Sequence, residues 1–221
     1  GTELTYRVSV TLQNDVSGYK KLELKDTLPD ILTIGDPSLE VDGVAAAAPA
    51  GSIVKSGQTV TFTLTSGFDA YKGKTLTLVI PATIKTSDPD ALAPYLTAGQ
   101  IENTATLTLN DDSETKTDSA VVILPTSATA TKKWVEGDAA NRPSVWFKLY
   151  RNVEGGAVEE VPVSEAPVEE LVPGAPLSIT WNNLTRRDAD GNDYIFTVRE
   201  VDAEGNDFTP AGYAKPESGL T

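Results

Sequence analysis

LTYRVSVTL, residues 4–12, alternates apolar and polar side chains without a break. Leu4, Tyr6, Val8, Val10 and Leu12 fall on one side, and Thr5, Arg7, Ser9 and Thr11 on the other. A period of two is the signature of a strand with one face on a core and the other in water. The same reading holds for TVTFTLT (59–65), with Val60, Phe62 and Leu64 in register, for TLTLVI (75–80) and for TATLTL (104–109). Turn-forming residues separate these runs: Asn14-Asp15, Asp36-Pro37, Ser56-Gly57, Tyr71-Lys72-Gly73 and Asn110-Asp111-Asp112. Short strands at this spacing predict a sandwich of two antiparallel sheets. The run VAAAAPAG (44–51) reads as a loop because of Pro49 and Gly51, and neither half contains a convincing amphipathic helix.

The stretch LPTSATAT (124–131) is small, polar and uncharged, and reads as an interdomain connection. Strand patterns resume beyond it in TATKKWV (129–135), SVWFKLYR (144–151), LSITWNNL (177–184) and DYIFTVREV (193–201). The acidic segment 154–170 reads as a solvated strand–loop–strand excursion. The 221 residues suit two domains of about 100 residues each. The expected fold class is all-β: two tandem immunoglobulin-like antiparallel β-sandwich domains, 1–125 and 126–221.

Composition narrows the function. The net charge of −14, shared evenly by the two halves, repels phosphate backbones and argues against a nucleic-acid partner. Histidine and cysteine are both absent, which removes the commonest general base and the ordinary zinc ligands. No catalytic constellation, metal site or cofactor is expected. Zero cysteine also means no disulfides, a pattern that fits either a cytosolic protein or a secreted one stabilised by other means. No run of 18 apolar residues occurs, so no membrane insertion is expected. With no methionine at any position and no signal peptide at its start, the chain reads as a fragment of a longer precursor.

The second half resembles the Cna B-type repeat of Gram-positive collagen adhesins and pilins. The resemblance rests on four ordered landmarks: TKKW (131–134), NRPSVWFKLYR (141–151), ITWNNL (179–184) and DGNDYIFTVRE (190–200). The first half looks like the companion fimbrial isopeptide-forming domain, of Cna A type. Its landmarks are GTELTYRVSV (1–10), LELKDTLPDIL (22–32), Gly73-Lys74 and IENTATL (101–107).

The chemistry this resemblance implies is an autocatalytic amide bond between a lysine and an asparagine side chain, assisted by a buried acid. A lysine in an apolar interior loses hydration, its charged form is disfavoured, and the free amine is a nucleophile. Residue by residue, the resemblance makes Lys132 the amine and Glu200 the assisting acid of the second domain. Their asparagine is expected just after Thr221. In the first domain it makes Asp26 the acid and Asn103 the electrophile, with the lysine expected ahead of Gly1. Plainer readings stand beside these: Lys132 as an ordinary strand lysine, Asp26 as a turn cap, Asn103 as a satisfier of backbone groups, and Glu200 as a surface acid paired with Arg199 or another cation. In the bonded case Lys133 points outward, because adjacent strand residues face opposite sides.

LPTSA (124–128) faintly resembles a sortase signal but lacks its ending and reads as linker. The Asp-rich DADGND (188–193) has the start of a calcium loop, yet the closing acidic position falls on Arg199, and the segment reads as a hairpin turn. Trp146 and Tyr150 look exposed and suit either a ligand patch or packing against a neighbouring domain. The leading functional expectation is a structural stalk segment of a cell-wall-anchored, extracellular pilin or adhesin. Its partners are then neighbouring domains or pilin subunits of the same assembly. The alternative is direct adhesion to a host matrix protein or glycan, and a carbohydrate-binding accessory module ranks last.

Overall fold

The structure, a computed structural model, describes residues 2–110, 114–135, 141–172 and 177–214. The chain divides into two compact units, Gly1–Val122 and Ile123–Thr221. Antiparallel sheets dominate both.

Among the described residues the first unit holds ten strands: β1 (Glu3–Thr11), β2 (Leu22–Thr27), β3 (Leu32–Ile34), β4 (Ser38–Val41), β5 (Val44–Ala46), β6 (Ile53–Ser56), β7 (Thr59–Leu64), β8 (Thr75–Ile84), β9 (Gln100–Leu109) and β10 (Glu114–Ile123). One sheet runs β1-β8-β4-β5, with β3 also paired to β8, and the other runs β10-β9-β2-β7-β6. The alternation read from sequence places the core. Leu22 and Leu24 on β2, Val60 and Phe62 on β7, Leu76, Leu78 and Ile80 on β8, and Ile101 on β9 are all fully buried.

Thr77 and Val79, on the opposite face of β8, are buried too. The reason lies in the flanking strands. Arg7 on β1 and Glu40 on β4 stand on either side of β8 and join over it through paired contacts of 2.6 and 2.9 Å. Beside them the Ser9 and Thr77 hydroxyls meet at 2.9 Å. An ion pair over an apolar strand of this kind contributes mainly by covering it, since exposed pairs are worth about 1 kcal/mol or less.

Two expectations change here. The run 44–51 is not wholly loop, because Val44–Ala46 pairs with β4 through a two-residue turn, Asp42-Gly43. Both turn residues have positive φ, 52° and 79°, as a type I′ hairpin turn requires, and Asp-Gly is a preferred sequence for it. A helix, α1 (Pro89–Ala98), stands where none was expected. Its punctuation is in the sequence. Asp88 caps it by accepting from the Ala91 N–H at 3.1 Å, Pro89 opens it, and Gly99 closes it at φ 72°. None of its side chains is buried, so no apolar stripe exists for a periodicity argument to find.

The second unit contains β11 (Thr126–Thr131), β12 (Val145–Asn152), β13 (Glu159–Glu160), β14 (Glu169–Leu171), β15 (Ser178–Leu184) and β16 (Ile195–Val201). β11 pairs with β15, while β12 takes β13 and β14 along one edge and β16 along the other. The expected linker at 124–131 is corrected: six of its eight residues are strand β11, which begins three residues ahead of the strand pattern read from 129. Its smallness has a packing cause. Ala128 and Ala130 face the core, with Ala128 directly opposite Trp181, while Thr129 and Thr131 face out and exchange hydroxyl contacts with Thr180 and Ser178. Larger inward residues would collide with the indole.

The excursion at 154–170 is strand, loop and strand, as expected, but it is not merely solvated. VEEV (158–161) and VEEL (168–171) are two copies of one pattern laid end to end on the same edge of β12. Each copy buries its last residue, Val161 or Leu171, and keeps acids on the outside. Charged, short segments of this kind cover an otherwise open strand edge.

Candidate functional site

Each unit brings the expected residues into contact. On β2 the inward row is Leu22, Leu24, Asp26, so a carboxyl replaces a leucine at the third step into the core. On β9 the inward row runs Ile101, Asn103, Ala105, and Ala105 lies directly opposite Asp26. Asn103 is therefore the diagonal same-face neighbour of Asp26, close enough for the side chains to meet. Its Nδ2 donates to both Asp26 oxygens, each at 2.9 Å. Burial pushes the Asp26 carboxyl above its ordinary value, although the Asn103 hydrogen bond pulls the other way.

Tyr6 is the residue that sequence reasoning placed in the core without giving it a role. It is buried on β1, and burial together with the charge of Asp26 raises its phenol pKa. The Tyr6 hydroxyl and Asn103 Oδ1 are both buried, and neither has a hydrogen-bond partner among the described residues. Tyr6, Asp26 and Asn103 line one cavity of about 500 Å³ that also touches β10 at Ala120 and Val122. Buried polar atoms without partners cost about 1–3 kcal/mol each, so this floor is polar at the expense of stability.

In the second unit the inward row of β11 continues past the strand end: Ala128, Ala130, Lys132, Trp134. Lys133 is exposed, on the opposite side with Thr131 and the strongly exposed Val135, as the alternation requires. On β16 the inward row is Phe196, Val198, Glu200. The Lys132 Nζ donates to both Glu200 oxygens, at 3.0 and 2.9 Å, and the two side chains are only 13% and 8% exposed. Because Lys132 follows β11 and Glu200 lies on β16, the pair ties one sheet of the unit to the other. Trp134 adds its ring face 4.3 Å from Nζ, and Tyr213 packs edge-on against that ring at 4.8 Å.

Other sequence candidates resolve differently. Asp188 accepts from the backbone N–H groups of Asp190 and Asn192 and from the Asn192 side chain, so its oxygens close the loop on itself. Asp202 does the same with Glu204 and Asn206 in a second copy of the motif, DAEGND (202–207), that the sequence reading passed over. The Asp188 and Asp202 carboxyls sit below their ordinary range, chiefly because of hydrogen bonds from Asn192 and Asn206 respectively. Trp146 and Tyr150 are half-buried rather than exposed, and Arg199 stacks over the Tyr150 ring at 4.3 Å. Glu200 is turned to Lys132, whereas Arg199 lies on the opposite face of β16.

Comparison with known proteins places these geometries in context. The family model of the Cna protein B-type domain matches residues 128–220. The chain is 35% identical to the collagen adhesin of Staphylococcus aureus over 106 residues, 48% of this chain and 9% of that protein. It is 31% identical to platelet adherence protein A of Streptococcus gordonii over 148 residues, 64% of this chain and 4% of that protein. The chain thus spans under a tenth of the length of these relatives. Among solved structures, the major pilin subunit BcpA of Bacillus cereus is similar at 22% identity and TM-score 0.49, over 99% of this chain and 60% of that one. Domains D2 and D3 of the major pilin SpaD of Corynebacterium diphtheriae are similar at 16% identity and TM-score 0.44, over 99% of this chain and 82% of that one.

Proposed function

We propose that this chain is a structural stalk segment of a Gram-positive surface pilin or adhesin, made of two immunoglobulin-like sandwiches, the first of Cna A type and the second of Cna B type. In the full-length protein each unit is closed by an autocatalytic lysine–asparagine amide bond. The observation that carries the reading is the seating of the Lys132 amine on the Glu200 carboxylate within a row of core residues. A lysine–glutamate pair at such a position is a costly way to stabilise a fold, since apolar residues of similar volume usually do as well or better.

The bond balances as follows. The neutral lysine amine attacks the side-chain carbonyl carbon of asparagine and forms the new C–N bond. The bond from that carbon to Nδ2 breaks, and the nitrogen leaves as ammonia after taking a proton from the neighbouring carboxylic acid. The attacking nitrogen returns a proton to the carboxylate, so the acid is regenerated. Asp26 suits the part because burial favours its protonated form. Half a turn of the Asn103 carboxamide exchanges Nδ2 for Oδ1 at little steric cost, and a protonated Asp26 then donates to that oxygen and polarises the carbonyl. The reaction happens once per bond, so the protein is not an enzyme. Its partners are neighbouring domains and subunits of the same extracellular assembly.

A closed loop of roughly 90 residues stabilises by about 4 to 5 kcal/mol in the chain-entropy account, a part that disulfides play in other surface proteins. Tryptic peptide mapping of the chain extended through its next strand tests the reading. A branched peptide joining the Lys132 segment to an asparagine segment supports it. Recovery of the Lys132 peptide wholly unbranched sinks it.

A further inference from the structure

Strand β10 is the outermost member of its sheet, and among the described residues no strand pairs along its other side. From Thr115 to Val121 every residue is exposed, on both faces of the strand. Its outer row continues a hydroxyl ladder from β9: Thr115 meets Thr108 at 3.3 Å, and Ser119 meets Thr104 at 2.8 Å. Its inner row, Lys116, Asp118, Ala120 and Val122, lines the mouth of the cavity that holds Tyr6, Asp26 and Asn103.

The hydrogen bonds of the inner strands fix which way the main chain of β10 faces. The Leu28 N–H donates to Gln58 and the Asn110 N–H to Lys21, so odd-numbered residues of β2 bond to even-numbered residues of β9. Alternation carried one strand further turns the main-chain groups of Thr117 and Ser119 away from β9. The Ser119 N–H is held instead by the adjacent Asp118 carboxylate, at 2.9 Å.

An open strand edge accepts a further strand, and charges on its inward face oppose most candidates. A second β10 fits these charges. In an antiparallel pair with Thr117 on the two-fold axis, Lys116 stands opposite the second copy's Asp118, and Asp118 opposite its Lys116. On the outer face Thr115 then stands opposite the second copy's Ser119, which extends the hydroxyl ladder. Centring the pair on Lys116 or on Asp118 instead sets like charges against each other. We propose that β10 is a self-recognition edge, through which two copies of this chain join side by side into one continuous sheet.

Sedimentation equilibrium over a concentration series tests the proposal at physiological salt, which screens the net charge of −14 more than it screens pairs in contact. A monomer–dimer equilibrium is expected. Lys116→Asp and Asp118→Lys, each alone, put like charges opposite one another and weaken the dimer by about tenfold or more. Mixing the two single variants restores association as a heterodimer, and so does making both exchanges in one chain. Thr117→Pro, which deletes an N–H from the open side and none from the β9 side, abolishes it. A chain that stays monomeric throughout overturns the proposal, as does a dimer that ignores the single exchanges or is not restored in the mixture. Stronger association in Asp118→Lys, the response to a smaller net charge alone, overturns it too.

Discussion

Asn103 lays its Nδ2 2.9 Å from both carboxylate oxygens of Asp26, and neither residue is more than 5% exposed. The arrangement puts a titratable group in a place that disfavours its charge, and stability must then depend on pH. The folded pKa of Asp26 lies above its ordinary value of 3.8, so the folded state binds the proton more tightly than the unfolded chain. Its favourable contribution is complete below the ordinary value and is lost as pH rises through the folded value. Urea midpoints of the first unit's unfolding are expected to fall from about pH 4 towards neutrality by more in the native chain than in Asp26→Asn. Parallel pH profiles for the two proteins contradict this.

Tyr6→Phe removes a buried hydroxyl that has no partner among the described residues while leaving the ring in the core. The expected change is a gain of about 1 kcal/mol, because the desolvation cost goes and no bond is lost. Denaturant unfolding measures it. A loss of similar size means that the hydroxyl is satisfied in solution.

For the second unit, Glu200→Ala takes from the Lys132 amine the carboxylate it is seated on and leaves it among core residues beside the Trp134 ring. The expected loss is about 3 kcal/mol, the lower end of what breaking a buried pair costs. Replacing both partners, Lys132→Met with Glu200→Leu, is expected to recover most of that loss. Thermal or denaturant unfolding of the two variants decides, and a double variant as unstable as the single one speaks against the pair as described.

Strand β11 makes a prediction that a linker does not. Ala130→Leu forces bulk against the core and costs about 1–3 kcal/mol, whereas Thr129→Val on the outer face changes stability by about 0.5 kcal/mol or less. Two neutral substitutions return the segment to the role of a tether.

Much of this architecture was legible in alternation. Val60 and Phe62, or Leu22, Leu24 and Asp26, announce their inward face because a strand's side chains must alternate. The contact between Asp26 and Asn103 was not a matter of alternation, since it depends on the register of β2 against β9, which a resemblance supplied and periodicity does not. Helix α1 was missed because it buries nothing, so only Asp88, Pro89 and Gly99 marked it. The first half of strand β11, 126–128, was missed because Ala128 is small enough to pass for a linker residue until Trp181 is known to stand opposite. The same blindness hid Tyr213, which lies some 80 positions from Trp134 in sequence and meets it only in the fold.

The central claim is that these buried pairs are the waiting halves of covalent bonds. Intact mass spectrometry of the chain lengthened at both ends tests it most directly. The account predicts a mass two ammonia molecules below that of the sequence, with one ammonia restored by Lys132→Ala and the other by Asn103→Ala. A lengthened chain whose mass equals that of its sequence contradicts it.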